Sequence, residues 1–444
     1  MRLGCEYRKK SLLRGIAGLM CAGLLAGCAG QNVPVAADPV ETVGSAEETG
    51  QETLATVPKE TGEKDQAQTG PEETREIVSE TESFDETESE QKQQEVLTQK
   101  KELLKDPYGD YQESGGEIVF VLDGLLEDGG FNHAIYDGIQ MYALGAGIPF
   151  SYYKVENRDE AGYREVVERA VQEQAKVVVC AGSDFGEVIG ALQETYPQIA
   201  FLMIDGVPQD SEGEPVRIAE NVHCALFQEQ ESGFFAGYLA VMEGYRSLGF
   251  IGGKESPAVI RYGSGYLQGI DAAARELGLS DVTVRCWYAG SYLPDPAVSK
   301  KASRWYEEGT EVIFSCGGSL YESVLEAAEQ KDGMLIGVDV DQGPVSERFL
   351  TSAIKDISNA VVISLDDYYA SGGQWSEAFA GRETRYGIED NCTGLPVLGA
   401  EWRFLNVTKE DYVQLYQKVK KGEIVIDDGI DTLPELTVTV NWEA

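Results

Sequence analysis

Short apolar runs alternate with longer amphipathic stretches along the chain from Gly116 onward. This alternation is typical of β-α-β units, in which each buried strand is followed by a helix that covers the sheet. The stretch 161–174, for example, places its apolar side chains on one helical stripe and its Arg and Glu residues opposite. The predicted strands are residues 118–122, 149–153, 177–181, 200–204, 248–251, 283–288, 312–316 and 334–338.

The stretch 222–246 interrupts this pattern and divides the strands into two groups of four. We therefore predict an α/β fold with two doubly wound, Rossmann-like lobes, whose strands point their carboxyl ends into a shared cleft. A single large sheet is the alternative architecture. The predicted division is 113–244 for lobe I, 245–355 for lobe II, and 356–444 for a C-terminal segment that packs back across both lobes.

The first 28 residues have the order of a secretory signal, with basic residues, then an apolar run over 16–26, then Cys28. The sequence Leu-Ala-Gly-Cys at 25–28 resembles the bacterial lipobox, in which the cysteine sulfur receives a diacylglycerol. We predict lipidation of Cys28 and an anchor on the extracytoplasmic face of the cell membrane. An ordinary cleaved signal with a chance cysteine is the alternative.

The segment 29–112 is acidic and is predicted to be a disordered tether. Residues 29–110 contain 21 acidic and 7 basic residues and few aromatic ones, so they cannot bury enough apolar surface to order themselves. The whole chain has a net charge of −40. This charge argues against nucleic acid as a partner, because phosphate binding requires a basic surface.

Composition gives little support to catalysis. The chain has only two histidines, His133 and His223, and it lacks the motifs of serine hydrolases, zinc proteases and P-loop enzymes. The five cysteines beyond Cys28 have no CxxC spacing and are predicted to be free and buried. We therefore predict a protein that is not an enzyme and has no metal site or cofactor.

Polar residues follow several of the predicted strands. Asp123, Asp205 and Asp339 each come directly after an apolar run, and Gly317 and Gly318 follow the strand at 312–316. Since ligands of doubly wound folds bind at the carboxyl ends of strands, these residues are expected to face one cleft. Helix caps are the alternative role for Asp205 and Asp339.

Several motifs resemble the basic membrane protein (BMP) family of nucleoside-binding ABC transporter substrate-binding lipoproteins, over about 116–355 and more weakly beyond. In this sequence they read GFN at 130–132 with DG at 137–138, FLMID at 201–205, Asn221, FQEQESGFFAG at 227–237, GFIGGKESPAVIRYGSG at 249–265, GSYLPDP at 290–296, IFSCGG at 313–318, IGVDVDQ at 336–342 and TSAIK at 351–355. The chain departs from the family at 126–130, at His133 and after Gly318.

The resemblance implies a type I periplasmic-binding-protein-like fold that closes on a purine-nucleoside-like ligand. The base is expected between Phe131 of the first lobe and Tyr292, or alternatively Tyr262, of the second. Gly317 and Gly318 would allow close backbone approach. The implied hydrogen-bonding residues are Asp123, Asn132 and Asp205 for polar edges of the ligand, and Asp339 and Lys355 for ribose hydroxyls.

The implied partners are the permease and ATPase subunits of an ABC importer, to which the closed protein would present its solute. The membrane is contacted through the lipid anchor alone. Four alternatives remain open: a sugar or other small-molecule binder of the same fold, a sensor that does not transport, an enzyme acting on nucleosides, and a surface adhesin.

Overall fold

The computed structural model describes residues 115–397 and 399–443, which form two α/β lobes around two separate sheets. The predicted two-lobed architecture is therefore confirmed, and the single large sheet is wrong. The signal segment, Cys28 and the acidic segment predicted over 29–112 lie outside the described residues.

The first sheet contains six strands, all paired in parallel. They are β1 (Ile118–Leu122), β2 (Phe150–Lys154), β3 (Val177–Ala181), β4 (Ala200–Ile204), β5 (Val222–Phe227) and β11 (Arg382–Tyr386). Their order across the sheet is β11-β5-β4-β3-β1-β2. Helices α1 (Phe131–Ala146), α2 (Glu160–Gln172), α3 (Gly186–Leu192) and α8 (Ile357–Ala370) cover its two faces.

The second sheet contains seven strands, all parallel except for a short antiparallel pair at one edge. They are β6 (Ser247–Gly252), β7 (Thr283–Tyr288), β8 (Val312–Cys316), β9 (Met334–Asp339), β10 (Phe349–Lys355), β12 (Thr393–Gly394) and β13 (Thr439–Trp442), in the order β12-β10-β9-β8-β6-β7-β13. Its helices are α4 (Glu229–Glu243), α5 (Pro257–Leu277), α6 (Pro296–Glu307), α7 (Tyr321–Lys331) and α9 (Lys409–Lys420).

The sequence pattern did not predict five of the observed strands. The apolar strand β5 lies inside the stretch that was expected to break the pattern, and β10, β11, β12 and β13 follow the last predicted strand. Strands β11 and β13 leave most of their residues at least partly exposed because they lie at sheet edges. An edge strand with little burial carries no regular apolar pattern.

Within the described residues, the chain passes between the lobes three times. The first crossing joins β5 to α4 at Phe227–Glu229, the second joins β10 to α8 at Lys355–Ile357, and the third is the segment 386–393 between β11 and β12. The side chains of α4 pack in the core of the second lobe, although the sequence-based division assigned this helix to the first. The C-terminal residues contribute α8 and β11 to one lobe and β12, α9 and β13 to the other.

Helices α4 and α5 pack closely through glycines that face the partner helix. A Cβ atom at Gly269 would lie 2.0 Å from the carbonyl oxygen of Phe234, and one at Gly233 would lie 2.2 Å from that of Tyr262. Larger residues at these positions would force the helices apart. This contact explains the glycines of the FQEQESGFFAG motif and places the start of α4 beside the start of α5.

The five cysteines in the described residues are free and buried, as predicted. His223 lies in the core against the Phe379 ring, at 4.3 Å between centroids, and burial lowers its pKa to about 4. His133 is exposed near the start of α1. Among the described residues, no helix is long and apolar enough to cross a membrane.

Candidate functional site

A cavity of about 300 Å³ lies between the two lobes at the carboxyl ends of the strands. Both lobes contribute to its lining, and the structure brings all the residues named from the sequence to it. They are Asp123, Phe131, Asn132 and Asp205 from the first lobe, and Tyr262, Tyr292, Gly317, Gly318, Asp339 and Lys355 from the second.

Lys355 forms the centre of a buried charge cluster on the floor of this cavity. Its ammonium group pairs with the Asp205 carboxylate across the cleft and lies 3.6 Å from Asp339 Oδ1. A third carboxylate, that of Glu229, has Oε1 at 3.3 Å from Lys355 Nζ. The side chain of Lys355 is only 2% exposed, so these three carboxylates supply the compensation that a buried cation requires.

Asp205 and Asp339 occupy equivalent places in the two lobes. Each has a left-handed backbone, with φ of 56° at Asp205 and 67° at Asp339. Residues other than glycine adopt this conformation at some cost, and Asp tolerates it better than most. Both carboxylates point to Lys355. The next regular element after Asp205 is β5, and Asp339 is followed by a short 3₁₀ turn (Gly343–Val345) and β10, so neither residue caps a following α-helix and the helix-cap role is wrong for both.

Burial governs the protonation of the floor. It raises the pKa of Asp339 to about 6, although the nearby Lys355 ammonium opposes the shift. It also raises the pKa of Glu229 to about 7, again against the effect of Lys355. The pKa of Lys355 lies above its ordinary value because the three carboxylates outweigh its desolvation. The lysine is therefore charged at neutral pH, and Glu229 and Asp339 take up protons at a higher pH than ordinary carboxylates do.

Three aromatic side chains reach the cavity in different ways. Tyr262 is buried at the cavity floor, and its hydroxyl donates to Asp339 Oδ1 over 3.3 Å. Phe131 and Tyr292 are only partly buried. The Tyr292 hydroxyl donates to Ser256 Oγ at 3.0 Å, which satisfies the extra polar atom that a tyrosine brings to this position.

The loop before α1 holds Phe131 at the cavity. The carboxylate of Asp128 accepts hydrogen bonds from the backbone N–H groups of Gly130, Asn132 and His133 at the start of the helix. The Asn132 side-chain amide donates to the carbonyl oxygens of Asp123 and Leu125. The Asn132 Nδ2 donor is thus used inside the loop, and a ligand contact by Asn132, which lines the cavity, stays a prediction.

Gly317 and Gly318 make room for Tyr292. A Cβ atom at Gly317 would lie 2.8 Å from the Tyr292 ring, and one at Gly318 would lie 3.0 Å from its carbonyl oxygen. Both residues also have positive φ angles, of 142° and 47°. These two glycines therefore allow Tyr292 to pack closely against the backbone at the cavity.

Two further ion pairs lie at the mouth of the cavity. Arg158 Nε donates to Asp123 Oδ1 over 2.6 Å, and the Tyr163 hydroxyl donates to Asp123 Oδ2 over 2.9 Å. The Lys254 ammonium of the second lobe pairs with Asp184 of the first. This second pair spans the cleft, and its side chains are about one third exposed.

Sequence reasoning missed Arg158 and Lys254, which pair with carboxylates at the mouth of the cavity. It also missed the buried pair of Glu229 and Arg261 beneath Lys355. Arg158, Lys254 and Arg261 are single basic residues in loops or on a helix, with no local signal of their own. Glu229 lies in the FQEQESGFFAG motif, soon after the apolar run of β5, and this position is a signal that could have indicated its burial. In the described part of the chain, no group of three or more His, Cys, Asp or Glu side chains could hold a metal ion.

Two α/β lobes that enclose a polar, aromatic-lined cavity, and that are joined by three crossings, define a solute-binding protein of the periplasmic-binding-protein type. Residues 116–429 match the family described as "ABC transporter substrate-binding protein PnrA-like". The match covers well over half of the chain, which therefore belongs to this family. The family consists of substrate-binding proteins, so the class of protein is a binder of small molecules that works with an ABC transporter.

Characterised relatives and solved structures agree with this family. The chain is 25% identical to Basic membrane protein B of Borreliella burgdorferi over 70% of this chain and 87% of the relative. It is 26% identical to the "ABC transporter nucleoside-binding protein BmpA" of Lactococcus lactis subsp. cremoris, over 53% of this chain and 70% of the relative. An ABC transporter solute-binding protein from Aeropyrum pernix K1 shares the fold, with a TM-score of 0.56 and 20% identity over 70% of this chain and 88% of that one.

Proposed function

We propose that this protein is an extracytoplasmic lipoprotein that captures a purine nucleoside between its lobes and presents it to an ABC importer. The base would lie between the rings of Phe131 and Tyr292, and the ribose hydroxyls would meet Asp205, Asp339 and Lys355. Closure of the lobes about the three crossings would bury the ligand without making or breaking a covalent bond.

The observation that carries this proposal is the combination of two partly buried aromatic rings with a charged floor in one cavity. A flat base gains from stacking, and ring stacking on a nucleic acid base contributes about 1–3 kcal/mol per base. Hydroxyl groups pair well with carboxylates and an ammonium group, because charge-assisted hydrogen bonds are the stronger kind. A cavity of about 300 Å³ also falls within the range of small-ligand sites, at its lower end.

Other observations support the roles proposed for the ABC importer and the lipid anchor. The family of the chain is one of ABC transporter substrate-binding proteins, and one relative is named as nucleoside-binding. The anchor is supported by the lipobox-like sequence that ends at Cys28. The permease and ATPase subunits would be separate chains, and the acidic segment 29–112 would tether the lobes to the membrane surface.

Titration calorimetry on the full-length mature protein tests the ligand. Inosine, adenosine, guanosine, cytidine, uridine, ribose and glucose are titrated separately into protein that has been unfolded and refolded to remove bound solute. We expect micromolar or tighter binding of at least one purine nucleoside and no free base in the recovered sample. Binding of ribose or glucose with no binding of any nucleoside would contradict the proposal, and release of free base would indicate an enzyme.

Metabolic labelling with a radioactive fatty acid tests the anchor. We expect label on the wild-type protein and its recovery with membranes, and neither for the Cys28→Ser variant. Ala29→Ser, the neighbouring change, serves as the control and should leave labelling intact. A Cys28→Ser protein that still carries the label would contradict lipidation at this residue.

A further inference from the structure

Glu229 is a buried carboxylate beneath the cavity that sequence reasoning did not assign to any role. It is the first residue of α4, directly after the first crossing, and its side chain is 1% exposed. It does not belong to the cavity lining, yet its Oε1 atom lies 3.3 Å from Lys355 Nζ. Its other oxygen, Oε2, lies 3.6 Å from Arg261 Nη1 on α5.

The arrangement places carboxylates on two sides of the Lys355 ammonium. Asp205 and Asp339 line the cavity, whereas Glu229 approaches the ammonium from outside the lining. The rings of Phe131, Phe227 and Tyr262 have centroids 5.2–5.4 Å from Lys355 Nζ. These rings and carboxylates leave the lysine few alternative positions.

One acceptor atom on the cavity side has no partner. Asp205 Oδ1 is buried and makes no hydrogen bond with the described residues. A buried carboxylate oxygen without a donor is costly, which indicates that something else supplies the donor in the working protein. A ligand hydroxyl could do so, provided that the carboxylate remains ionised and is not fully engaged by Lys355.

We propose that Glu229, which forms an ion pair with Arg261, is a positioning residue that fixes and partly neutralises Lys355 from outside the cavity, so that Asp205 and Asp339 keep acceptor oxygens for the hydroxyls of the ligand. This inference rests on the proposed function. The close glycine-mediated contact between α4 and α5 is what brings Glu229 and Arg261 together. Glu229 itself touches no ligand and acts through Lys355.

The first test is the affinity for inosine, measured by titration calorimetry. Glu229→Gln keeps the shape of the side chain and removes its charge, and we expect it to weaken binding at least tenfold. The matched control is Glu243→Gln at the other end of α4, roughly 21 Å away along the helix axis. Glu243 is also buried and accepts hydrogen bonds from the backbone N–H groups of Leu405 and Asn406, so its loss costs stability without reaching Lys355. We expect less than a threefold effect on affinity from this control.

The second test needs no ligand. Thermal unfolding is measured for the wild type, Glu229→Gln, Lys355→Met and the double variant. If Glu229 acts through Lys355, Glu229→Gln lowers the melting temperature of the wild type but lowers that of Lys355→Met less, or raises it. Removing a carboxylate relieves repulsion once the lysine is gone, whereas a role unrelated to Lys355 gives the same decrease in both backgrounds.

The outcomes separate the two proposals. Equal decreases in both backgrounds, or equal affinity losses in Glu229→Gln and Glu243→Gln, overturn the positioning role. If the wild type binds neither inosine nor any other nucleoside while the unfolding data show coupling, the proposed function fails and the pairing of Glu229 with Lys355 stands.

Discussion

The floor and the mouth of the cavity use the same kinds of ion pair in different surroundings. On the floor, the side chains of Lys355, Asp205, Asp339 and Glu229 are at most 9% exposed. At the mouth, the cross-cleft pair between Lys254 and Asp184 is about one third exposed. A buried charge that loses its partner is strongly destabilising, whereas an exposed pair contributes little because water and salt replace each partner.

The floor of the cavity depends on the packing of the whole fold, and the mouth depends on it less. The floor joins both lobes and two of the three crossings through one ammonium group, since Lys355 and Glu229 stand at crossings and Asp205 and Asp339 stand in opposite lobes. The mouth pair joins the lobes directly and at the surface. Changes on the floor are therefore expected to affect both stability and binding, and changes at the mouth mainly binding kinetics.

The largest expected effect comes from Lys355→Met. This change removes the buried cation from Asp205 and Asp339 and leaves Glu229 with Arg261, and we expect a loss of about 3–5 kcal/mol in the free energy of unfolding. Urea denaturation measures the loss. Lys176→Met is the control, because Lys176 pairs with Glu117 at an exposed position and should cost less than about 1 kcal/mol. Similar losses in the two variants would remove the distinction between buried and exposed pairs.

The next largest effect is expected on ligand affinity, from removal of the Phe131 ring. Phe131→Ala should weaken purine nucleoside binding by about 1–3 kcal/mol, the range for loss of one stacking face. Tyr292→Phe keeps the ring and loses only the hydrogen bond to Ser256, so its affinity should stay within about threefold of the wild type. Calorimetry on both variants checks this, and an unchanged affinity in Phe131→Ala would exclude the ring as a stacking surface.

The pH dependence of ligand binding tests the role of the Asp339 carboxylate on the cavity floor. The pKa of Asp339 is raised to about 6, so this carboxylate is ionised at pH 7 and gains a proton as the pH falls below 6. The protonated form is a weaker acceptor for ligand hydroxyls, and affinity should fall up to about tenfold between pH 7 and pH 5. Asp339→Asn should bind weakly with a flatter profile over this range. An affinity in the wild type that is constant from pH 7 to pH 5 would contradict this role.

The smallest expected effect comes from the mouth. Lys254→Met removes the cross-cleft pair and should change the free energy of unfolding by less than about 1 kcal/mol. It should raise the rate of ligand release severalfold, because one contact that holds the lobes together is lost. Raising the salt concentration from 0.1 M to 1 M should reproduce part of that increase in the wild type but not in the variant. Stopped-flow measurements of release distinguish these cases.

The sequence alone predicted much of the sheets and of the cavity. Buried strands such as β1, β3 and β8 were predicted with their observed limits, because a parallel strand covered on both faces is a short continuous apolar run. Asp123, Asp205 and Asp339, at the ends of β1, β4 and β9, reach the cavity because the carboxyl ends of parallel strands meet at one edge. The edge strands β11 and β13 were missed, since their burial is slight and their place depends on distant partners.

Local sequence patterns specify the apolar strands, the amphipathic helices, and the polar or aromatic residues at the strand ends. Which charged side chains form pairs depends on the tertiary structure. Glu229, Arg261 and Lys355 are far apart in the chain and come together through helix packing and two crossings. The apolar pattern depends on neighbours within a few residues, whereas the pairs of Lys355 with Glu229 and Asp205 join residues 126 and 150 places apart.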